Sequence, residues 1–194
     1  NTNLVSHTKN TVFPTENMSY YIDKTVGPQE ITQYFSNSMG VISTNSTNII
    51  SVGNTDEYQY FIKDAFNKLD KIIDLDFYEM SHNNGSMMDI YAISYSSSFN
   101  SDVVGQAIPQ ESRYGSWWDI LWKDATNKNN NFHTIIHEIG HTLGLGHPFD
   151  DPFNKELTSF DTVMSYNSSN NEWNNWFTEV DLNALISIWG REND

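Results

Sequence analysis

The sequence predicts a mixed α/β fold, of the α+β kind, with a twisted, mixed and mostly parallel sheet and two helices beside it. Segments with the apolar spacing of helices alternate with short segments rich in β-branched and aromatic residues. Their order is strand, helix, several strands, helix, loops, helix. The chain has 194 residues, which fits one domain with a proper core.

Three segments place apolar residues three and four positions apart, as amphipathic helices do: 56–73, about 131–144 and 178–190. The second helix is expected to end at Gly144, because glycine readily leaves a helix in a left-handed conformation. In the third, Thr178 is a good N-cap with Asp181 three residues on, and Gly190 can end the helix. This third helix closes a loop-rich C-terminal part of the chain.

Five short β-prone segments are predicted as strands: 29–36, 75–80, 88–95, 103–109 and 116–124. Pro109 ends the fourth of these, which is typical of an edge strand. In the fifth, Trp118 and Trp122 share one face, and we expect them in the core. Residues 1–28 show no periodicity and are expected to form a loop, as a packed arm or as the remnant of a pro-segment.

Composition excludes several classes of function. The formal charge is −15 and no Lys/Arg cluster stands out, which argues against a nucleic-acid partner. The absence of cysteine excludes disulfides, thiolate metal sites and a cysteine nucleophile. Apolar runs are far shorter than the ~20 residues of a membrane span. A composition rich in Asn, Ser, Thr, Trp and Tyr suits a secreted, extracellular protein, and we expect a monomer.

The stretch 137-HEIGHTLGLGHP-148 contains three of the six histidines. On a helix, His137 and His141 are about 400° apart, so both imidazoles project from one side. Gly144 can leave the helix and bring His147 back toward the same point. Three protein ligands that leave one position for water are the arrangement of a catalytic zinc site, whereas a structural zinc site usually has four.

Glu138 is turned about 100° from His137, which places its carboxylate beside the metal rather than on it. It can take a proton from water and return it to a leaving amine. Zinc lowers the pKa of water from 15.7 to about 7, so a nucleophile exists near neutral pH. The chemistry predicted is hydrolysis of an amide carbonyl, and a purely structural site would have no use for Glu138.

The stretch resembles the HExxHxxGxxH signature of the metzincin zinc endopeptidases, and most closely their serralysin branch. The segment 162-TVMSY-166 resembles the Met-turn of that family, which implies that Met164 lies beneath the zinc-binding imidazoles. The resemblance implies that Tyr166 is an additional zinc ligand that can swing to stabilise the oxyanion. It also implies a metzincin (zincin-like) fold, with an arm at 1–28, an upper lobe at about 29–148 and a lower lobe at about 149–194.

The segment 103–109 resembles the edge strand along which these enzymes align an extended substrate. This implies main-chain contacts at Gly105, Gln106, Ala107 and Ile108 with a protein or peptide substrate. The 194 residues contain no glycine–aspartate nonapeptide run of a calcium-binding β-roll, so the calcium requirement and the export route are left open. The cysteine switch of matrixins is excluded, and a separate inhibitor protein is one alternative means of restraint.

Other residues have simpler interpretations beside the functional ones. His133 precedes His137 by one turn, and we favour a helix-start or surface role over metal binding. His7 and His82 are expected to be solvated. Asp161 is predicted to orient a liganding histidine. For two pairs of residues the alternatives stay open. Trp173 and Trp176 either form a wall of the substrate pocket or pack in the core. Asp150 and Asp151 either bind calcium or only cover a loop.

The function expected from these observations is that of a secreted, single-domain zinc endopeptidase. Two alternatives stay open. One is a protease-derived binding or adhesion module without turnover, which would have no use for both Glu138 and Tyr166. The other is a zinc hydrolase of non-peptide amides, which would lack a cleft long enough and open enough for a peptide.

Overall fold

A computed structural model describes residues 1–36, 42–113, 115–125 and 127–193. Within these ranges the chain forms four α-helices, seven strands and a short 3-10 turn at Pro148–Asp150. The helices are α1 (Thr2–Val12), α2 (Asp56–Leu69), α3 (Lys128–Thr142) and α4 (Glu179–Trp189). The strands are β1 (Asn17–Ile22), β2 (Gly27–Ser36), β3 (Ile42–Ser51), β4 (Asp76–Met80), β5 (Met88–Ser96), β6 (Gly105–Ser112) and β7 (Gly115–Lys123).

The seven described strands form one mixed sheet with β5 at its centre. The pairs β1–β4, β1–β5 and β5–β7 are parallel, whereas β2–β3, β3–β5 and β6–β7 are antiparallel. The predicted mixed sheet is confirmed, but the prediction that it is mostly parallel is wrong. The error comes from β3, which was not predicted because its many Asn, Ser and Thr residues show no apolar alternation. This strand forms a long antiparallel hairpin with β2.

The sheet curls, because β1 and β3 follow one another along the same edge of β5. Asp23 N donates to Ile90 O and Val52 N donates to Ala92 O, both at 2.9 Å. Ile90 and Ala92 are two residues apart on β5, so their carbonyl groups point to the same edge of that strand. The far end of the curl is closed by Gln110 of β6, whose Oε1 accepts from Tyr34 N at 2.8 Å. A small second core fills the curl: Ile31, Ile49, Tyr91, Ile93, Ile108 and Leu121.

The main core lies between the other face of the sheet and helices α2 and α3. Trp118 and Trp122 are fully buried in it, as predicted. Each indole N–H has a partner, because Trp118 donates to Thr8 Oγ1 and Trp122 donates to Asn54 Oδ1. This core supports α3 along most of its length, so the residues of α3 are held on a rigid element.

The N-terminal residues depart from the predicted loop, since they form α1 and β1. The apolar spacing does not reveal α1, because two of its three buried residues are the threonines Thr8 and Thr11. His7, predicted to be solvated, lies on this helix with Nε2 at 3.0 Å from Trp117 O and its ring edge-on to Trp118. His82 is exposed, as predicted.

The other boundaries agree closely with the predictions. The edge strand β6 continues past Pro109 to Ser112, and proline is tolerated there because an edge strand leaves one side unpaired. Asn127 caps α3 by accepting from the backbone N–H groups of residues 129 and 130. Helix α4 begins with the predicted capping box of Thr178 and Asp181 and ends at Gly190 with φ 93°. None of the helices in the described ranges has the length and apolar content of a membrane span.

Two buried carboxyl groups face each other inside the curl. Asp89 of β5 and Asp119 of β7 are register partners and are 5% and 3% exposed. Burial raises the pKa of Asp89 from 3.8 to about 8, against an opposing hydrogen bond from Ser86 and with help from the charge of Asp119. Burial likewise raises the pKa of Asp119 to about 6. The folded protein therefore holds protons on these two carboxyl groups more tightly than the unfolded chain does.

This pair predicts a stability that falls with pH. The pKa of Asp89 is higher in the folded protein than unfolded, so its contribution is complete below pH 3.8 and is lost as pH rises through about 8. Asp89→Asn, which mimics the neutral acid, should match wild type near pH 3 and exceed it by more than about 2 kcal/mol near pH 9, at ~1.4 kcal/mol per pKa unit. Urea unfolding at both pH values measures this, with the exposed Asp102→Asn as control. An equal difference at the two pH values would contradict it.

Candidate metal centre

Helix α3 and the turn after it bring His137, His141 and His147 together. The nitrogen atoms available as ligands lie within 4.8 Å of one another, and the ring centroids are 4.7 to 5.4 Å apart. Helix α3 ends at Thr142, and Gly144, with φ 102°, turns the chain back so that His147 returns toward the other two. The predicted role of Gly144 is thus confirmed.

Hydrogen bonds at Nδ1 orient the imidazole rings so that their Nε2 atoms point toward one another. His137 Nδ1 is 2.8 Å from Val163 O and His141 Nδ1 is 2.9 Å from Leu145 O. A carbonyl only accepts, so Nδ1 carries the hydrogen in both rings and Nε2 has a free lone pair. The Nε2 atoms of His137 and His147 are buried without any hydrogen-bond partner. Buried nitrogens that converge and lack partners fit a zinc ion with three histidine ligands.

The electrostatic environment keeps the three imidazoles neutral. Burial, and then the neighbouring His141, hold the pKa of His137 well below 6.5. Burial lowers the pKa of His141 to about 4, and it lowers the pKa of His147 against the opposing charge of Asp150. Neutral imidazole is the form that binds metal, so little proton release opposes binding near pH 7.

Glu138 lies beside the cluster under the edge strand. It is 4% exposed, and burial raises its pKa from 4.5 to about 8 against an opposing hydrogen bond from the Ala107 backbone. A methyl group on Gly105 would lie 2.5 Å from Glu138 Oε1, so β6 approaches the carboxylate as closely as glycine allows. Gln106 lines the cleft, whereas Ile108 is buried in the second core.

The Met-turn lies under the cluster. Met164 is 2% exposed, and a Cβ on Gly140 would be 2.8 Å from its sulfur. The ring of Tyr166 is 5.0 Å from His137 and 4.9 Å from His147, centroid to centroid. Burial raises the pKa of Tyr166 to about 12, with a contribution from Glu138, so its phenol keeps its proton at neutral pH.

Asp181, rather than Asp161, holds the Met-turn in place. Asp181 accepts hydrogen bonds from Val163 N at 3.0 Å and from Thr162 Oγ1 at 2.6 Å, in addition to capping α4. The side chain of Asp161 contacts Thr158 instead, so the prediction that it orients a histidine is wrong. The capping box identified Asp181, but no spacing in the sequence shows that the first turn of α4 meets the Met-turn.

His133 lies outside the three-histidine cluster, as predicted. It is buried rather than on the surface, with Nδ1 2.7 Å from Asn174 O and its ring 4.6 Å from that of Trp173. Trp173 lines the cleft, whereas Trp176 packs on Phe177.

Asp150 and Asp151 belong to the turn after His147. The side chain of Asp151 accepts from Phe153 N, which is a loop contact. Among the described residues, the three histidines form the one cluster of side chains suited to a metal. These contacts give no support to the alternative that Asp150 and Asp151 bind calcium.

A cleft of about 800 Å³ runs along β6 and α3 past the cluster. Its walls come from three parts of the chain: residues 98–106, one face of α3, and the region that contains Phe153, Tyr166 and Trp173. The cleft therefore brings the edge strand, Glu138 and His137 to one surface.

Neutral imidazoles aimed at one point, with a buried carboxylate beside them and a methionine turn beneath, define a zinc metallopeptidase of the metzincin type. The family model described as Matrixin, of peptidase family M10, matches residues 42–153, more than half of the chain. The chain therefore belongs to this family. The resemblance to the metzincin zinc endopeptidases and the predicted enzyme class are both confirmed.

Two curated relatives match a smaller part of the chain. One is a serralysin of Photorhabdus luminescens, 30% identical in a match that covers 44% of this chain and 23% of the relative. The other is a serralysin of Photorhabdus laumondii subsp. laumondii, 29% identical with the same coverage. The match therefore spans less than a quarter of the length of these relatives. Both relatives are serralysins, the branch of the family that the HEIGHTLGLGHP stretch resembles.

The position of Asp181 predicts that its loss loosens the metal site as well as α4. Asp181→Ala removes the acceptor for Thr162, Val163 and the cap of α4, and should lower the free energy of unfolding by about 2–4 kcal/mol. Zinc affinity should fall as well, because Val163 O orients His137. Chemical unfolding and zinc titration measure the two effects. Asp161→Ala is the matched control, and equal zinc affinity in both variants would contradict the assignment.

Proposed function

We propose that the protein is a secreted, zinc-dependent endopeptidase that hydrolyses internal peptide bonds of extended protein substrates. The observation that carries the proposal is the position of Glu138, a buried carboxylate beside three convergent histidines and under an edge strand. The whole chain is taken as one catalytic domain. Its arm is 1–28, its upper part about 29–148 and its lower part about 149–194.

His137, His141 and His147 are proposed to hold the zinc ion. Zinc supplies a Lewis acid that polarises a carbonyl and lowers the pKa of water toward about 7. Glu138 is proposed to take a proton from this water at Oε1. Burial raises the pKa of its carboxyl, which makes the carboxylate a stronger base and lets it hold the proton until the proton passes to the leaving amine.

Tyr166 is proposed to donate its phenol hydrogen to the oxyanion. The ring lies beside His137 and His147 and its side of the cleft is open, with the residue 39% exposed. A raised pKa keeps the phenol protonated, so it is a donor and not a competing anion. Met164 is proposed to form the floor under the histidines, where a thioether packs without any polar demand of its own.

The backbone of Gly105, Gln106, Ala107 and Ile108 is proposed to pair with the substrate. Strand β6 pairs on one side with β7 and borders the cleft. Main-chain pairing binds an extended peptide with little dependence on its sequence, which suits a protein substrate. Retention of both Glu138 and Tyr166 in the cleft favours turnover over a silent binding module.

The first test is Glu138→Gln, a neutral and nearly isosteric change. The variant should still bind one zinc ion per chain, while kcat on a quenched casein falls about 10²–10⁴-fold, as expected for the loss of a general base. Metal analysis and initial rates measure this, with the exposed Glu156→Gln as the matched control. Wild-type turnover in Glu138→Gln would refute the assigned role, and activity that survives a zinc chelator would refute the metal mechanism.

The second test is Gly105→Ala. The added methyl group would overlap Glu138 Oε1 at 2.5 Å and Thr134 Cγ2 at 2.6 Å, so the carboxylate must move. We expect kcat to fall at least about tenfold with zinc content unchanged, because a small displacement of a catalytic group is costly. Steady-state kinetics and metal analysis measure this. Glu111→Ala changes an exposed side chain on the same strand away from Glu138, and a similar loss there would contradict the explanation.

A further inference from the structure

The turn that carries His147 has no regular structure of its own. Helix α3 ends at Thr142, and residues 143–147 run as turn and coil. The last carbonyl groups of a helix lack partners within the helix, so other groups must bind them. How precisely His147 is placed therefore depends on what binds the carbonyl groups of this turn.

Side chains from both ends of the chain bind those carbonyls. Thr142 O accepts from Thr8 Oγ1 of α1 at 2.6 Å, and Leu143 O accepts from Trp189 Nε1 of α4 at 2.9 Å. His141 Nδ1 contributes a third bond, to Leu145 O at 2.9 Å. Two helices far apart in sequence thus hold the start of the turn, and one metal-binding ring holds its end.

Thr8 is itself held in place. It is fully buried, and its oxygen accepts from Trp118 Nε1 at 3.2 Å while its hydroxyl hydrogen faces Thr142 O. Leu4 O, at 3.0 Å, is the more distant alternative acceptor within α1. Since a hydroxyl has one hydrogen, the bond from Trp118 and the shorter contact together direct it toward the turn.

Helix α1 also lies directly against the turn backbone. A Cβ on Gly144 would be 2.6 Å from Val5 Cγ2 and 3.5 Å from Val5 Cα. The residue with φ 102° that reverses the chain is thus covered by α1. Contact of this kind leaves little room for the turn to shift.

We propose that Thr8 and Trp189 are positioning residues for the third metal ligand, His147. They bind successive carbonyls at the start of the turn, so that the His147 ring stays within reach of His137 and His141. The inference rests on the proposed function for the identity of the ion, zinc. It assigns to α1 a role in metal affinity, through hydrogen bonds that touch neither the metal nor the substrate.

The test is zinc affinity, measured by competition with a chromophoric chelator, on Thr8→Val and Thr8→Ser. Valine keeps the shape but loses the hydroxyl, and we expect zinc to bind about tenfold or more weakly, within the range known for groups that orient ligands. Serine keeps the hydroxyl and should restore most of the affinity. Thr11→Val is the matched control, because Thr11 lies on the same buried face and bonds only to His7 O within α1.

Thermal unfolding of the zinc-free proteins separates positioning from general destabilisation. Thr8→Val should be the more destabilised of the two valine variants, because it also leaves Trp118 Nε1 without its acceptor. Lower stability moves the unfolding temperature of both variants, whereas only Thr8→Val should lose zinc affinity in the folded state. Trp189→Phe, which removes the N–H donor but keeps an aromatic ring, should weaken zinc binding in the same direction. It also serves if Thr8→Val does not fold.

Zinc binding by Thr8→Val and Trp189→Phe as tight as wild type would overturn the inference, as would an equal loss in Thr11→Val. The proposed function fails separately, if wild type binds zinc but does not cleave casein. In that case the affinities of the variants still decide the role of Thr8. A wild-type protein that binds no zinc would refute both.

Discussion

The hydrogen bond between His137 Nδ1 and Val163 O joins the metal-binding helix to the Met-turn, and the site depends on it. It fixes the ring tautomer, leaves Nε2 free for a metal, and holds two segments of the chain that are 26 residues apart. The remaining contacts serve the same end. Asp181 holds the backbone that supplies this carbonyl, and Gly140 lets Met164 approach the helix beneath the ring.

The mixed sheet explains why the site lies where it does. Parallel pairing of β5 with β7 places the core tryptophans under α3, and antiparallel pairing of β6 with β7 then leaves an edge beside Glu138. The close approach at Gly105 couples the two, because the strand proposed to hold substrate contacts the residue proposed to move the proton. Binding geometry and chemistry are therefore determined by the same few contacts.

Local spacing was enough to predict most helices, the caps of α4 and the convergence of the three histidines. These depend on residues close in sequence, such as Gly144 and the i, i+4 histidine pair. What failed depends on distant partners. Helix α1 buries threonines on its contact face, and β3 pairs through a polar hairpin, so neither shows apolar alternation. The role expected of Asp161 belongs to Asp181, and His133, expected in a helix-start or surface role, is buried, because tertiary contacts leave no trace in local spacing.

The double use of Asp181 has a consequence for how the protein comes apart. One carboxylate both starts the C-terminal helix and secures the loop under the histidines, so fraying of that helix cannot proceed far without slackening the coordination sphere. Local opening and metal release thus belong to a single cooperative unit. Amide hydrogen exchange in the last helix would then report on the occupancy of a site whose three histidines lie on other elements.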